Sequence, residues 1–141
     1  MRKFGIVALA LAAWPALASA QTEGVRVIAP QDRIVLPSNM HNVWYDEFDE
    51  IAGEYALSNG RTMRLSMCGN RMYATLSGVG RMPLVAVSPY VFVTRDAAMR
   101  IAVEDPARSP PNRLNARLTV PATMFSSMAP AGEQRILMAW R

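Results

Sequence analysis

Apolar and polar residues alternate along most of the chain from residue 55 onwards, and this period of two is typical of β-strands with one buried face. The alternation begins at Tyr55 and Leu57. It continues at 63–67, and further short apolar-rich candidate strands lie at 72–76, 84–87, 90–94, 99–104, 116–120 and 135–140. Because each run ends at a turn or loop signal, the pattern predicts about eight short strands.

Two short turn signals join the first three predicted strands. Asn59 and Gly60 separate the first two runs, and both residues tolerate the positive φ angles of a tight hairpin turn. Gly69 and Asn70 lie in the same position before the third run. Strands that follow one another closely pair antiparallel, and curling the sheet removes its exposed edges. The sequence therefore predicts an all-β fold, a small antiparallel meander that forms a barrel or half-barrel.

One short N-terminal helix is predicted before the strands, over residues 43–52. Its apolar residues recur at intervals of four, three and four: Trp44, Phe48, Ile51 and Tyr55. The acidic residues between them are expected to form its solvent-exposed face: Asp46, Glu47, Asp49 and Glu50. Asn42 is expected to cap the start of this helix and Gly53 to end it.

Alternation also predicts which side chains fill the core. If one face of each strand is buried, the core contains Tyr55, Leu57, Met63, Leu65, Met67, Leu76, Ile101, Val103, Leu118, Ile136, Met138 and Trp140. Cys68 then lies on the opposite face of its strand, with Arg64 and Ser66, and should be exposed. As the one cysteine of the chain, it can make no intramolecular disulfide, so partial dimer formation through Cys68 is predicted in an oxidising compartment.

The first 20 residues have the composition of a secretory signal peptide. Arg2 and Lys3 precede an apolar run at 4–14, and small residues at 18–20 form a cleavage site. The predicted organisation is a signal peptide at 1–20, an extended arm at 21–42 and a single β domain at 43–141. We therefore expect a periplasmic or secreted protein, cleaved after Ala20.

The charge and the strand lengths argue against two classes of partner. Loss of Arg2 and Lys3 lowers the net charge from +4 to +2, and all the other basic residues are arginine, so nucleic-acid binding is not expected. No run after residue 20 approaches the roughly 20 apolar residues of a membrane-spanning helix. The predicted strands are also shorter than the roughly 9–11 residues of outer-membrane barrel strands, so no membrane span is expected.

Two sets of residues offer chemistry, each with a simpler structural interpretation. Thioether and imidazole ligands suit copper, and candidates for a periplasmic copper site are Met40, His41, Met63, Met67 and Met72. Core packing explains the row of Met63, Leu65 and Met67 more simply, because methionine is a common core filler. A hydrolase that uses Cys68 with His41 is a second alternative.

Other catalytic patterns are missing from the sequence. After residue 20 it has no lysine, one histidine and no Gly-x-Ser-x-Gly motif. The sequence therefore favours a non-enzymatic binding or interaction module, for a small apolar ligand or a partner protein, with no cofactor and no residue assigned to a catalytic or metal site.

The central segment resembles a recurrent module with a Gly-x-Tyr-x-Leu start, an Asn-Gly turn and an Arg-Met-Tyr-x-x-Leu return strand. The positions that carry the resemblance are Gly53, Tyr55, Leu57, Asn59, Gly60, Leu65, Arg71, Tyr73 and Leu76. The segment, about residues 48–104, is similar to uncharacterised small secreted β-domain proteins of proteobacteria, and more distantly to the β-rich accessory domain of penicillin-binding-protein-like serine hydrolases. The resemblance implies a lipocalin-like antiparallel β domain, without a catalytic residue.

Overall fold

The computed structural model describes residues 34–141, so the predicted signal peptide at 1–20 and the first part of the predicted arm, 21–33, lie outside the described residues. One helix, α1 (Tyr45–Ile51), precedes eight strands. The strands are β1 (Gly53–Leu57), β2 (Thr62–Cys68), β3 (Arg71–Leu76), β4 (Gly80–Ser88), β5 (Val91–Thr94), β6 (Arg100–Val103), β7 (Asn115–Pro121) and β8 (Gln134–Trp140).

The eight strands form a closed antiparallel barrel in sequence order. The seam between β1 and β8 is short, with Ala56 opposite Trp140 and Leu57 opposite Ala139. The backbone N–H of Ser58 extends the seam by donating to the carbonyl oxygen of Met138 at 2.8 Å. The predicted all-β barrel is confirmed, and the half-barrel alternative is wrong because this seam closes the sheet.

The first two hairpins form at the glycines that the sequence indicated. Gly60 has a φ of 79° and Gly69 a φ of 58°, in the region where a side chain is disfavoured. The Asn59 side-chain oxygen accepts a hydrogen bond from the backbone N–H of Arg61 at 3.1 Å, which fixes the first turn. The two short turns set the registers of β1, β2 and β3.

The barrel interior is filled by side chains. Its largest fully buried members are Tyr55, Phe48, Phe92, Ile51, Met63, Leu65, Leu76, Met99, Ile101 and Leu118. Eight of the twelve predicted core residues are buried, while Met67 is only partly buried against the core. The interior is thus a packed core, as is usual for a small eight-stranded barrel.

Strand β8 buries the face that was predicted to be exposed. Leu137 and Ala139 are buried, whereas Ile136, Met138 and Trp140 are each close to half exposed on the outer face. Both alternating sets of β8 are apolar, so the larger side chains gave the wrong face. The register with β7, in which Leu137 lies opposite the buried Leu118, turns the smaller set inward.

Helix α1 closes one end of the barrel but is shorter than the predicted 43–52. Phe48 and Ile51 are buried, and the Phe48 ring meets the edge of the Phe92 ring with centroids 5.8 Å apart. The N-cap is Trp44 rather than Asn42, because the Glu47 carboxylate accepts a hydrogen bond from the Trp44 backbone N–H at 3.1 Å. Trp44, the first residue of the predicted apolar stripe, is 76% exposed at this cap position.

The connection from α1 to β1 contains a buried hydroxyl. Tyr55 donates a hydrogen bond of 2.6 Å to the carbonyl oxygen of Ile51. Burial raises the pKa of Tyr55 to about 12, and the nearby charge of Arg141 lowers it in part. The folded protein therefore retains the Tyr55 proton at a pH at which the unfolded chain releases it.

Tyr55→Phe is expected to lower the free energy of unfolding at neutral pH by about 1–2 kcal/mol, because the Ile51 carbonyl loses its donor. The raised pKa of Tyr55 also adds to the free energy of unfolding. This stabilisation is fully present below about pH 10 and is lost as the pH rises towards 12. Urea denaturation at about pH 9 and about pH 11 measures the decrease in the free energy of unfolding between these two pH values. This decrease should be larger in the wild type than in Tyr55→Phe. Equal losses would contradict this assignment.

Candidate functional site

A groove lies at the N-terminal end of β3. Beyond this end, the neighbouring strand β4 continues without β3 beside it. Met72, near the start of β3, is opposite Leu84, so the last residues of β4 extend beyond β3. The segment before α1 lies beside this unpaired part of β4. The backbone N–H of His41 donates a hydrogen bond to the carbonyl oxygen of Ala86 at 2.9 Å. The space left between this segment and the β2–β3 turn is the groove.

The groove has a volume of about 340 Å³. Its lining residues come from the segment before α1, the β2–β3 hairpin, β4 and the end of β5: Met40, His41, Asn42, Val43, Met67, Asn70, Arg71, Met72, Tyr73, Pro83, Leu84, Val85, Ala86 and Arg95. Met67, Met72 and Leu84 belong to the barrel core or pack against it, whereas Tyr73 and Pro83 alternate with them and face outward. The groove therefore runs from the outer surface of the barrel towards its core.

The segment at 34–43 is held against the outer face of the barrel by apolar contacts. Val85 and Val93 lie opposite each other on the outer faces of β4 and β5, yet both are buried. Ile34 and Val35 line a small cavity with Val93 and Val87 on this face. This cover positions Met40 and His41 at the wall of the groove.

The charged side chains that line the groove are all arginine. Arg71 and Arg95 are exposed at its mouth, and His41 is half-buried in its wall. Among the described residues that line it, none is Asp or Glu. The one ion pair within residues 34–141 joins Arg108 to Asp105, so both mouth arginines lack a carboxylate partner in that part of the chain. The groove therefore presents positive charge at its opening.

The turn that carries Arg95 is fixed by its own hydrogen bonds. The Asp96 carboxylate accepts a hydrogen bond from the Ala98 N–H at 3.1 Å, and the Thr94 hydroxyl accepts one from the Met99 N–H at 3.0 Å. A side-chain hydrogen bond with Thr94, followed by the Ala98 N–H, holds the pKa of Asp96 below its usual value. Asp96 is thus satisfied locally, which leaves Arg95 available to a ligand.

The outer wall of the groove is fixed by an arginine stacked on an aromatic ring. The guanidinium of Arg81 lies 3.7 Å from the centre of the Tyr73 ring. Cation–π contact of this kind favours one orientation of the ring. Tyr73 therefore gives the mouth a fixed aromatic side next to Arg71.

The structure brings together four of the five candidate copper ligands. Met40, His41, Met67 and Met72 all line the groove, and Met67 lies directly opposite Met72 across the β2–β3 hairpin. Met63 does not, because it is fully buried in the barrel core. Alternation alone placed Met63 and Met67 on one face, but only Met67 lies close enough to the barrel end to reach the groove.

Cys68 is exposed, as the alternation through β2 predicted. It is not among the residues that line the groove, and in residues 34–141 no hydrogen bond joins it to His41. The hydrolase alternative therefore has no assembled thiol–imidazole pair in the described residues.

The acidic residues of α1 are exposed, as predicted. The part of the chain that the structure describes has no cluster of three His, Cys, Asp or Glu side chains suited to a metal ion.

The exposed thiol of Cys68 leaves dimer formation as a prediction. Protein isolated without reductant is expected to show a partial disulfide dimer on non-reducing electrophoresis, because a lone exposed thiol oxidises between molecules. Cys68→Ser should remain monomeric in the same gel. A wild-type monomer that keeps a free, readily alkylated thiol after air oxidation would contradict the prediction.

Sequence reasoning missed the two arginines at the mouth of the groove. The sequence pattern assigns Arg71 only to a return strand and assigns no role to Arg95. No local pattern links the two, because they are brought together by the pairing of β3, β4 and β5. No pattern along the chain could therefore have indicated them.

The described residues contain no helix with the length and apolar content needed to cross a membrane. No protein-family model matches this chain, and neither a curated protein nor a solved structure matches it.

Proposed function

We propose that this protein is an exported, non-enzymatic binding module that holds a small ligand in the groove at the end of β3. The observation that carries the proposal is the groove itself, about 340 Å³ in volume, with an apolar floor and a few polar groups at its mouth. This size and this composition are typical of small-molecule sites. The barrel interior is filled by side chains, so the proposed site is a surface groove and not a central cavity.

Three parts of the structure would hold the ligand. Met67 and Met72 form an adaptable apolar floor, because thioether side chains adjust to different shapes. The Tyr73 ring, fixed by Arg81, forms one side. The segment at 40–43 forms the opposite side and is anchored through His41 to β4. No part of this proposal requires a covalent step.

Native mass spectrometry of the protein from its own cell compartment tests the proposal. The expected result is a bound species of a few hundred daltons, lost in a variant whose groove is filled by Met72→Trp. Met138→Trp is the matched control, because Met138 lies on the outer face of β8 and should leave the ligand in place. Wild-type protein that carries no ligand in any growth condition would count against the proposal.

A copper site is the second candidate function, favoured by the placement of Met40, His41, Met67 and Met72 on one groove. Two thioethers and an imidazole suit Cu(I). The two uncompensated arginines at the mouth oppose a cation, so we rank copper below a small molecule. Competition with a Cu(I) chelator tests it: Met67→Leu and Met72→Leu should each weaken binding, Met63→Leu should not, and equal effects would exclude the site.

Export is part of the same proposal and rests on the composition of residues 1–20. Intact mass of protein from a periplasmic fraction should correspond to cleavage after Ala20. A membrane-bound species that retains residues 1–20 would contradict it.

A further inference from the structure

The mouth of the groove and its floor differ in chemistry in a way that selects one class of ligand. The floor lies towards the barrel core, where Leu84 and Ala86 are buried and Met67 and Met72 are partly buried. The mouth opens on the outer face of the barrel, where Arg71 and Arg95 are exposed. A ligand that satisfies both regions has an apolar part and an anionic end.

The strand registers bring the two arginines to the same groove and within reach of one group, although Arg95 lies in the turn directly after β5. Met72, Leu84 and Thr94 lie opposite one another on β3, β4 and β5, so Arg71 and Arg95 are two strands apart. Strand spacing and rise give a Cα separation of roughly 12 Å. Two arginine side chains can converge from that distance, and guanidinium groups bind carboxylate and phosphate in a bidentate manner.

No described carboxylate competes for these guanidiniums. None of the lining residues is acidic, and Asp96, next to Arg95, accepts hydrogen bonds from its own turn. The mouth therefore attracts an anion and disfavours a cation of the same shape.

We propose, on the basis of the function proposed above, that the ligand is a single-chain amphiphile whose carboxylate or phosphate is held by Arg71 and Arg95 and whose alkyl chain lies on Met67 and Met72. The shared chemistry of the two head groups is a small anion on an unbranched apolar chain. The assignment makes Arg71 and Arg95 the residues that determine specificity, and the methionines the residues that determine the accepted chain length.

Titration calorimetry tests the head group with dodecyl phosphate and dodecanoate, each below its micellar concentration, and with dodecanol below its solubility limit. Both anions are expected to bind at least about tenfold more tightly than the alcohol. Tighter binding of dodecyl phosphate would identify a phosphate as the preferred head, and tighter binding of dodecanoate a carboxylate. Arg71→Gln and Arg95→Gln should each weaken the anions about tenfold while they leave dodecanol unchanged. Arg117→Gln, an exposed arginine on β7, is the matched control and should change none of the three.

A series of alkyl phosphates from octyl to dodecyl tests the apolar part. Each methylene that enters the groove should raise the affinity about fourfold until the groove is full. Inorganic phosphate that binds as tightly as dodecyl phosphate would overturn the assignment, and so would dodecanol that binds as tightly as the anions. In that last case the groove would still bind a ligand and only the anionic head would be wrong, whereas absence of binding by all the probes would defeat the proposed function as well.

Discussion

Phe48→Ala is expected to lower the free energy of unfolding by about 3–5 kcal/mol, one of the largest effects of any single substitution in this chain. Phe48 is 1% exposed, and its ring closes the end of the barrel against Phe92. Alanine would leave a cavity between α1 and the strands that the short helix is too constrained to fill. Loss of several kcal/mol is a large part of the stability of a small domain.

Trp44→Ala is the matched control for this prediction. Trp44 and Phe48 belong to the same apolar repeat in the sequence, but Trp44 is mostly exposed. Its replacement should change the free energy of unfolding by no more than about 0.5 kcal/mol. Urea denaturation of the two variants measures the contrast. Similar losses in both would show that α1 is rotated from the orientation described above.

Leu137→Ala is expected to lower the free energy of unfolding by about 2–5 kcal/mol, because Leu137 points into the barrel opposite Leu118. Met138→Ala, one residue further along β8, should cost less than about 1 kcal/mol, because Met138 is 45% exposed. The pair tests the orientation of the strand that closes the barrel. A larger cost for Met138→Ala would restore the orientation that the side-chain sizes suggested.

The hairpin region was predictable because its local signals agree with its tertiary surroundings. Asn59-Gly60 and Gly69-Asn70 fix two turns, and a single alternating set of large apolar residues fixes the inward face of β2. The prediction of a buried Met63 and an exposed Cys68 follows from these signals alone and is confirmed.

Strands β4 and β8 were less predictable for different physical reasons. The sequence predicted a strand at 84–87, but β4 begins at Gly80 and runs through Pro83, which faces outward opposite Tyr73. In β8 both faces carry apolar residues, so alternation cannot select one of them. Pairing with the neighbouring strands sets the length of β4 and the buried face of β8. The registers of these pairs depend on residues far apart in the sequence, so local patterns do not reveal them.

The candidate site was predictable only in part. The sequence indicated Met40, His41, Met67 and Met72 as residues of interest because of their side-chain chemistry. It could not place them together, and it gave no reason to add Arg71 and Arg95. Their proximity results from the greater length of β4 relative to β3 and from the segment at 34–43 that covers its outer face.

The central claim is that a ligand binds in the groove at the end of β3, and methionine-methyl NMR tests it most directly. The methionines report on separate regions: Met40, Met67 and Met72 line the groove, Met63 and Met99 lie in the core, and Met128 and Met138 are exposed outside the lining. Titration with dodecyl phosphate is expected to shift the methyl signals of Met40, Met67 and Met72 together, with little change at Met128 and Met138. Shifts confined to Met128 or Met138, or no shift at any methionine, would contradict the account.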